Sequence, residues 1–210
     1  MQKLYIFALT LLAAGSTAYA DSFFQVTVNT SSISGTHGSL DFQFNPGTGE
    51  TQAATVQILN FAGGTYGGTN STLGVESGGP LPTAVTLGNG LQKSPTATLN
   101  DYFETFTFGN TISFLLDLGG PAVTSPNGQS TGNSKFYFAM FSDANGSNPV
   151  LTSDPNGIAA TVTVNPNGPV VAQAISPNLQ FVPEPSSLWL VAVALGLAGS
   201  ATLARRRLAQ

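Results

Sequence analysis

Short runs in which apolar and polar residues alternate one by one recur along this chain, and they constrain its fold more than any other feature. Phe24, Val26 and Val28 are separated by polar residues, and the pattern returns in the runs 40–44, 56–58, 103–108, 112–116, 136–140 and 160–164. A period of two places alternate side chains on opposite faces of a β-strand. The pattern therefore predicts a series of half-buried strands, and no stretch shows a capped 3.6-residue helical period.

Glycine, proline and asparagine separate these runs and indicate turns. Examples are Asn45-Pro46-Gly47, Gly63-Gly64, Gly67-Gly68 and Gly109-Asn110. We expect Gly109-Asn110 to close a hairpin between 103–108 and 112–116, and we expect the glycine-rich stretches 62–97 and 119–133 to be loops. Many short strands with such connections predict an all-β ectodomain, an antiparallel β-sandwich of immunoglobulin-like or jelly-roll type.

Charge and cysteine content exclude several classes of protein. Only 8% of the residues are charged, against roughly 25% in an ordinary soluble domain. Six basic and ten acidic residues give a net charge of −4, so the chain lacks the basic footprint of a nucleic-acid-binding protein. The absence of cysteine excludes disulfides, thiolate metal sites and a cysteine nucleophile.

The first twenty residues have the three parts of a secretory signal peptide. Lys3 precedes an apolar run over 4–14, and Ala18-Tyr19-Ala20 comes directly before Asp21. Small residues at Ala18 and Ala20 are the pattern that signal peptidase accepts. We therefore predict that residues 1–20 are removed during export.

The other end of the sequence predicts a single transmembrane helix. Residues 188–204 carry no charge, and Arg205, Arg206 and Arg207 follow at once. An apolar stretch of this length lies at the short limit for a spanning helix, and clustered arginine stays on the cytoplasmic side. We assign the helix to 186–204 and the basic tail to 205–210, so the preceding domain faces the periplasm. These residues alone also fit an ordinary single-pass anchor.

A proline-rich motif stands between the ectodomain and this helix. Pro183, Glu184 and Pro185 favour extended backbone, which a processing enzyme could bind without local unfolding. Together with the apolar helix and the arginine cluster, this motif resembles the PEP-CTERM sorting signal of Gram-negative bacteria. The sequence therefore divides into three regions: a signal peptide at 1–20, an ectodomain at 21–181 and a sorting signal at 182–210, with the motif itself at 182–185. The resemblance implies an exosortase-like membrane enzyme as partner. We predict a protein that ends at the cell surface or in an extracellular polysaccharide matrix, with a structural or adhesive role.

The middle of the chain contains few residues that suggest catalysis. Ser130 lies in a Gly-x-Ser-x-Gly match at 128–132, but a strand-like run follows it where a nucleophile elbow needs a helix. His37 is the only histidine, and we interpret it as an exposed loop residue. Glu104 stands on an alternating run, so we expect it to point outward, and nothing fixes its distance from Glu50, Glu76 or any aspartate. We therefore predict that the protein is not an enzyme; a hydrolase is the weaker alternative.

Two binding functions remain as alternatives. Asp143, Asn145 and Asp154 offer oxygen ligands that calcium prefers, although an ordinary Asx turn explains the same residues. Tyr66, in a glycine-rich stretch, is the candidate for stacking on a sugar. We predict no required cofactor, and retain a calcium- or carbohydrate-binding module as the alternative to a structural role.

Overall fold

The computed structural model describes residues 22–74, 76–90 and 99–183, and 57% of these residues lie in strands. The strands are β1 (Ser22–Asn29), β2 (His37–Pro46), β3 (Thr55–Leu73), β4 (Glu76–Gly78), β5 (Val85–Gly88), β6 (Asp101–Gly119), β7 (Ser134–Phe141), β8 (Ile158–Val164), β9 (Val170–Ala174) and β10 (Leu179–Pro183). A 3₁₀ turn at Ser31–Ile33 and a short helix α1 (Pro121–Thr124) are the helical elements in these ranges. The all-β class predicted from the alternation is confirmed.

Each alternating run found in the sequence forms a strand with one buried face. In β2, for example, Leu40, Phe42 and Phe44 are buried, while Asp41 and Gln43 between them are only partly so. This is the arrangement that a period of two predicts, because successive side chains leave a strand on opposite sides.

The long strand β6 organises the sheet, in which every strand pairing is antiparallel. Its first half pairs with β2, and its second half pairs with β1. Along its other edge, β6 pairs with β3 over nearly its whole length. On the β2 side, the sheet continues through β7, β8 and β9, and on the β1 side it ends with β10. On the other edge, β3 pairs with β5, and β5 pairs with β4. We call the β2 side the first limb and the β1 side the second limb.

The predicted hairpin through Gly109-Asn110 is wrong, because β6 passes through these residues without turning back. The predicted loop at 62–97 is also partly wrong, since β3 continues to Leu73. Bulges in the β3–β6 pairing lie near the middle of both strands. There Gly63 has φ +128°, and a Cβ on it would overlap the carbonyl oxygen of Thr111. Gly63 therefore allows β3 and β6 to bend and approach each other closely, whereas we expected the glycine-rich stretch around it to end the strands.

Aromatic side chains from the two limbs share one core. The ring of Phe42 on β2 lies 5.7 Å from that of Phe114 in the second half of β6, at an edge-to-face angle. Phe138 on β7 contacts the same Phe114 ring at 5.2 Å. Because β2 and β7 belong to the first limb and this part of β6 to the second, the limbs enclose these rings between them.

Several predicted features lie outside the described residues. They are the signal peptide at 1–20 with Ala18 and Ala20, the predicted membrane helix at 186–204, and Arg205, Arg206 and Arg207. Within 22–74, 76–90 and 99–183, no helix is long and apolar enough to cross a membrane.

Candidate functional site

The start of the proline-rich motif belongs to the folded sheet. β10 ends at Pro183 and pairs with β1, so that Pro183 lies opposite Phe24 and Val182 opposite Gln25. Phe181 packs edge to face on Phe24, with ring centroids 5.9 Å apart. By contrast, Val182 faces outward and is 58% exposed. The motif thus begins at the edge of the domain without an intervening linker.

This geometry corrects part of our expectation for the motif. The backbone of Val182 and Pro183 is extended, as proline predicts, but these residues are a paired strand and are not free of sheet contacts. Glu184 and Pro185 lie outside the described residues. Pro183 stands at the end of β10, a position in which its missing N–H costs the sheet little.

His37 and Ser130 are not brought together. His37 begins β2, and its Nδ1 lies 3.2 Å from the Thr107 hydroxyl. Ser130 lies beyond the opposite end of β2, where its hydroxyl accepts a hydrogen bond from the Gln52 backbone N–H at 3.0 Å. Ten strand residues span about 30 Å, far beyond the reach of a serine–histidine pair. β7, and no helix, follows Ser130, which agrees with the context read from the sequence.

Asp143 caps its own loop. Its carboxylate accepts backbone hydrogen bonds from Asn145, Ser147 and Asn148 at 2.6 to 3.2 Å. Desolvation is the largest single influence and raises the pKa of Asp143, but these hydrogen bonds together outweigh it and hold the pKa below its usual value. The loop has the geometry of an extended Asx turn.

Asp154 makes a second, separate turn. Its carboxylate accepts a hydrogen bond from the Asn156 backbone N–H at 2.8 Å. In the ranges that the structure describes, no group of three or more histidine, cysteine or acidic residues is placed to hold a metal ion. The calcium assignment to Asp143, Asn145 and Asp154 stays an untested prediction.

Glu104 does not point outward, as we expected, but is fully buried. Tyr102 and Phe106, on the same face of β6, are also buried. The alternation of the strand therefore directs the Glu104 side chain into the core, although it ends in a carboxyl group. The Tyr102 hydroxyl donates a hydrogen bond to Glu104 Oε2, and the Leu81 backbone N–H donates a second at 3.1 Å. This carboxyl therefore ties the loop after β4 to β6.

Tyr66 is not on an exposed loop either. It lies in β3, where its ring is 5.8 Å from that of Phe106 and its hydroxyl donates to the Phe61 carbonyl oxygen at 3.2 Å. Burial, and then the charge of Glu104, raise the pKa of Tyr66. A partly buried ring packed on the core is a poor stacking platform for a sugar.

The sequence did not single out Asp41 and Asp101, yet the fold places their carboxyl groups within hydrogen-bonding reach of each other. Carboxyl groups in a retaining glycosidase stand about 5–5.5 Å apart and in an inverting one farther, so this pair is too close for that chemistry. Asp41 lies on the polar face of the run 40–44, and Asp101 comes just before the run 103–108. Only the antiparallel register of β2 and β6 shows that they meet.

Comparison with known proteins identifies the motif at the end of the domain. Residues 181–207 match the PEP-CTERM protein-sorting motif. No curated protein and no solved structure matches the chain significantly. The match confirms the resemblance, and it implies an exported, membrane-associated protein that an exosortase-like enzyme processes.

Proposed function

We propose that a chain carrying this sorting motif is exported, held at the membrane by residues 186–204 with the domain in the periplasm, and then released to the cell surface or matrix. The observation that carries the proposal is the motif match at 181–207. A short apolar segment and three arginines follow the proline-rich motif, and together they would hold it at a fixed depth outside the bilayer.

The domain that is delivered would be a β-sandwich with a structural or adhesive role. Contacts between Phe42 and Phe114 join the two limbs over one apolar core, which supports a sandwich. The low content of charged residues and the wide separation of His37 from Ser130 favour a passive role over hydrolysis. The setting that we propose is the cell surface or an extracellular polysaccharide matrix.

The experiment compares processing of two variants in a host that has an exosortase. Glu184→Ala combined with Pro185→Ala alters the motif but leaves β10 complete. A matched control, Glu50→Ala with Pro169→Ala, changes the same residue types at two exposed positions. We expect the control to be shortened like the wild type and the motif variant to stay full length in the membrane, as measured by intact mass.

Deleting the exosortase gene should reproduce the result of the motif variant. Surface material that still carries residues 186–210 in the exosortase-bearing host would contradict the proposal, because the tail would then be an ordinary anchor.

A further inference from the structure

The outer face of the first limb contains a cleft of about 510 Å³. Its floor is formed by three strands: Asp41, Gln43 and Asn45 of β2, Tyr137 and Ala139 of β7, and Ile158 of β8, with Leu99 and Asn156 completing the wall. The register explains this grouping, since Gln43 lies opposite Tyr137 and Asp41 lies opposite Ala139. The small Ala139 side chain leaves depth beside the Tyr137 ring. The volume is within the range of about 300–1,000 Å³ for small-molecule sites.

The polar side chains of Asp41, Gln43 and Asn45 form a hydrogen-bonded row along β2. Asn45 Nδ2 lies 3.4 Å from Gln43 Oε1, and Gln43 Nε2 donates to Asp41 Oδ2 at 2.9 Å. Each side-chain amide has both donors and an acceptor. Such groups match hydroxyls, which also donate and accept, better than they match an ion of one sign.

Asp101 lies beside these residues on the neighbouring strand β6. It lies opposite Gln43 in the register, and its carboxyl approaches that of Asp41. Burial, then the hydrogen bond and charge of Asp41, raise the pKa of Asp101 to about 8. Asp101 therefore keeps its proton at neutral pH. Asp41 Oδ1 is buried and has no hydrogen-bond partner among the described residues.

We propose that this cleft binds a neutral, hydroxyl-rich ligand, a segment of uncharged polysaccharide. The amides of Gln43, Asn45 and Asn156 would bond its hydroxyls, and the Tyr137 ring would contact an apolar sugar face. The inference rests on the proposed surface role only for its biological setting, because binding is measured on the purified chain.

The charge of the domain selects for a neutral ligand. Lys135, whose Nζ lies 5.9 Å from the centre of the Tyr137 ring, is the only lysine or arginine within the described ranges. It is engaged with the ring, and eight acidic residues stand against it in these ranges, so the net negative charge of the domain would repel an acidic polysaccharide.

A second cleft serves as an internal comparison. It has about 560 Å³ and is lined by hydroxyl and amide residues, among them Thr27, Asn110 and Gln180. None of the described residues that line it has an aromatic ring or a carboxyl group, so the Tyr137 ring, and not polar lining alone, distinguishes the first cleft. Gln180→Ala is therefore the matched control for Gln43→Ala.

The test uses the full chain in a zwitterionic detergent, which brings no sugar headgroup into the assay. Isothermal titration measures binding of cellohexaose, maltohexaose and mannohexaose, with hexagalacturonate as the anionic comparison. We expect at least one neutral hexasaccharide to bind more tightly than hexagalacturonate. Gln43→Ala, Tyr137→Ala and the exposed Asn156→Ala should each weaken this binding about 3- to 10-fold, the loss of one or two polar contacts. Gln180→Ala should leave it unchanged.

Several outcomes would overturn the inference. They are binding to none of the neutral hexasaccharides, tighter binding of hexagalacturonate, and binding that Gln180→Ala abolishes while the cleft variants keep it. Binding that requires added calcium would also overturn it, because a cation, and not the amide groups of the cleft, would then hold the ligand. Circular dichroism of each variant separates loss of binding from loss of folding, and Asn156→Ala in an exposed turn provides the variant least able to disturb the core.

Discussion

The protonation of Asp101 affects the stability of the fold. Its folded-state pKa of about 8 lies above the ordinary value of 3.8, chiefly because of burial and then because of Asp41. The folded protein therefore keeps a proton that the unfolded chain releases near pH 4. Its contribution is complete below about pH 4 and is lost as the pH rises through about 8.

We predict that the free energy of unfolding falls by about 1–3 kcal/mol between pH 4 and pH 8, a range reduced for solvent screening of a partly exposed group. Chemical denaturation at fixed ionic strength across this range measures it. Asp101→Asn should flatten the profile, whereas Glu50→Gln at an exposed position should keep its slope. A slope that survives in Asp101→Asn would show that other groups cause it.

Glu104 allows a prediction about a buried acceptor. Glu104→Ala removes the acceptor that the Tyr102 hydroxyl and the Leu81 N–H share, although the Leu81 N–H keeps its 3.1 Å contact with the Tyr102 hydroxyl oxygen, and it also creates a cavity. We expect a loss of about 3–5 kcal/mol in the free energy of unfolding. Glu104→Gln retains one acceptor oxygen, so we expect a loss of only about 1–2 kcal/mol. Equal losses in the two variants, measured by denaturant unfolding, would contradict the shared-acceptor role.

For single residues, the sequence predicted which face of a strand a side chain occupies better than it predicted the partners of that side chain. The alternation placed Glu104 on the same face as Tyr102 and Phe106, and only its charge suggested exposure. Its partner Leu81 lies 23 residues away, and a contact at that distance depends on the fold of the loop after β4. Asp41 and Asp101 were missed for the same reason, because their meeting depends on which strands pair.

Among the elements, the paired bend of β3 and β6 joins the two limbs. Gly63 lies at the bend with φ +128°, and the Thr111 carbonyl oxygen occupies the space that a Cβ on Gly63 would need. Gly68 in the same strand has φ +72° but open space around it. Comparing an alanine substitution at each glycine therefore separates the cost of backbone strain from the cost of overlap with a neighbouring strand.

We predict that Gly63→Ala lowers the free energy of unfolding by about 2–4 kcal/mol, because strain and overlap act together. Gly68→Ala should cost only about 1–2 kcal/mol, since strain acts alone. Thermal or denaturant unfolding of both variants provides the comparison. If Gly68→Ala were as costly as Gly63→Ala, close approach of the strands would not be the reason for glycine at the bend.

The same bend explains why strand continuity could not be predicted. Gly63-Gly64 and Gly109-Asn110 have the composition of turns, and locally a turn and a bulge require the same backbone freedom. What decides between them is the pairing of β3 with β6 over more than 40 residues of sequence separation. The alternation identified the strand faces because that signal is local.

For the whole molecule, the important feature is that both ends of the domain lie together. β1 and β10 are antiparallel, and Phe24 faces Pro183, so the predicted signal peptide and the sorting segment leave the sheet at the same end. Paired residues in such strands lie about 4.5–5.5 Å apart. The processing enzyme therefore meets its motif directly beside a folded edge.

This arrangement predicts where the mature chain ends. A protease needs unpaired, extended backbone, and β10 is paired with β1 and held by the buried Leu179 and by the Phe181 ring on Phe24. We therefore expect the processed protein to retain all of β10, with its last residue at or after Pro183.

Leu179→Ala combined with Phe181→Ala should detach β10, at a cost of about 3–5 kcal/mol, and should produce shorter, heterogeneous ends. The outer-face variant Gln180→Ala should keep the native end. Intact-mass measurement of surface protein distinguishes these results, and a wild-type product ending within 179–182 would show that the strand does not protect the motif.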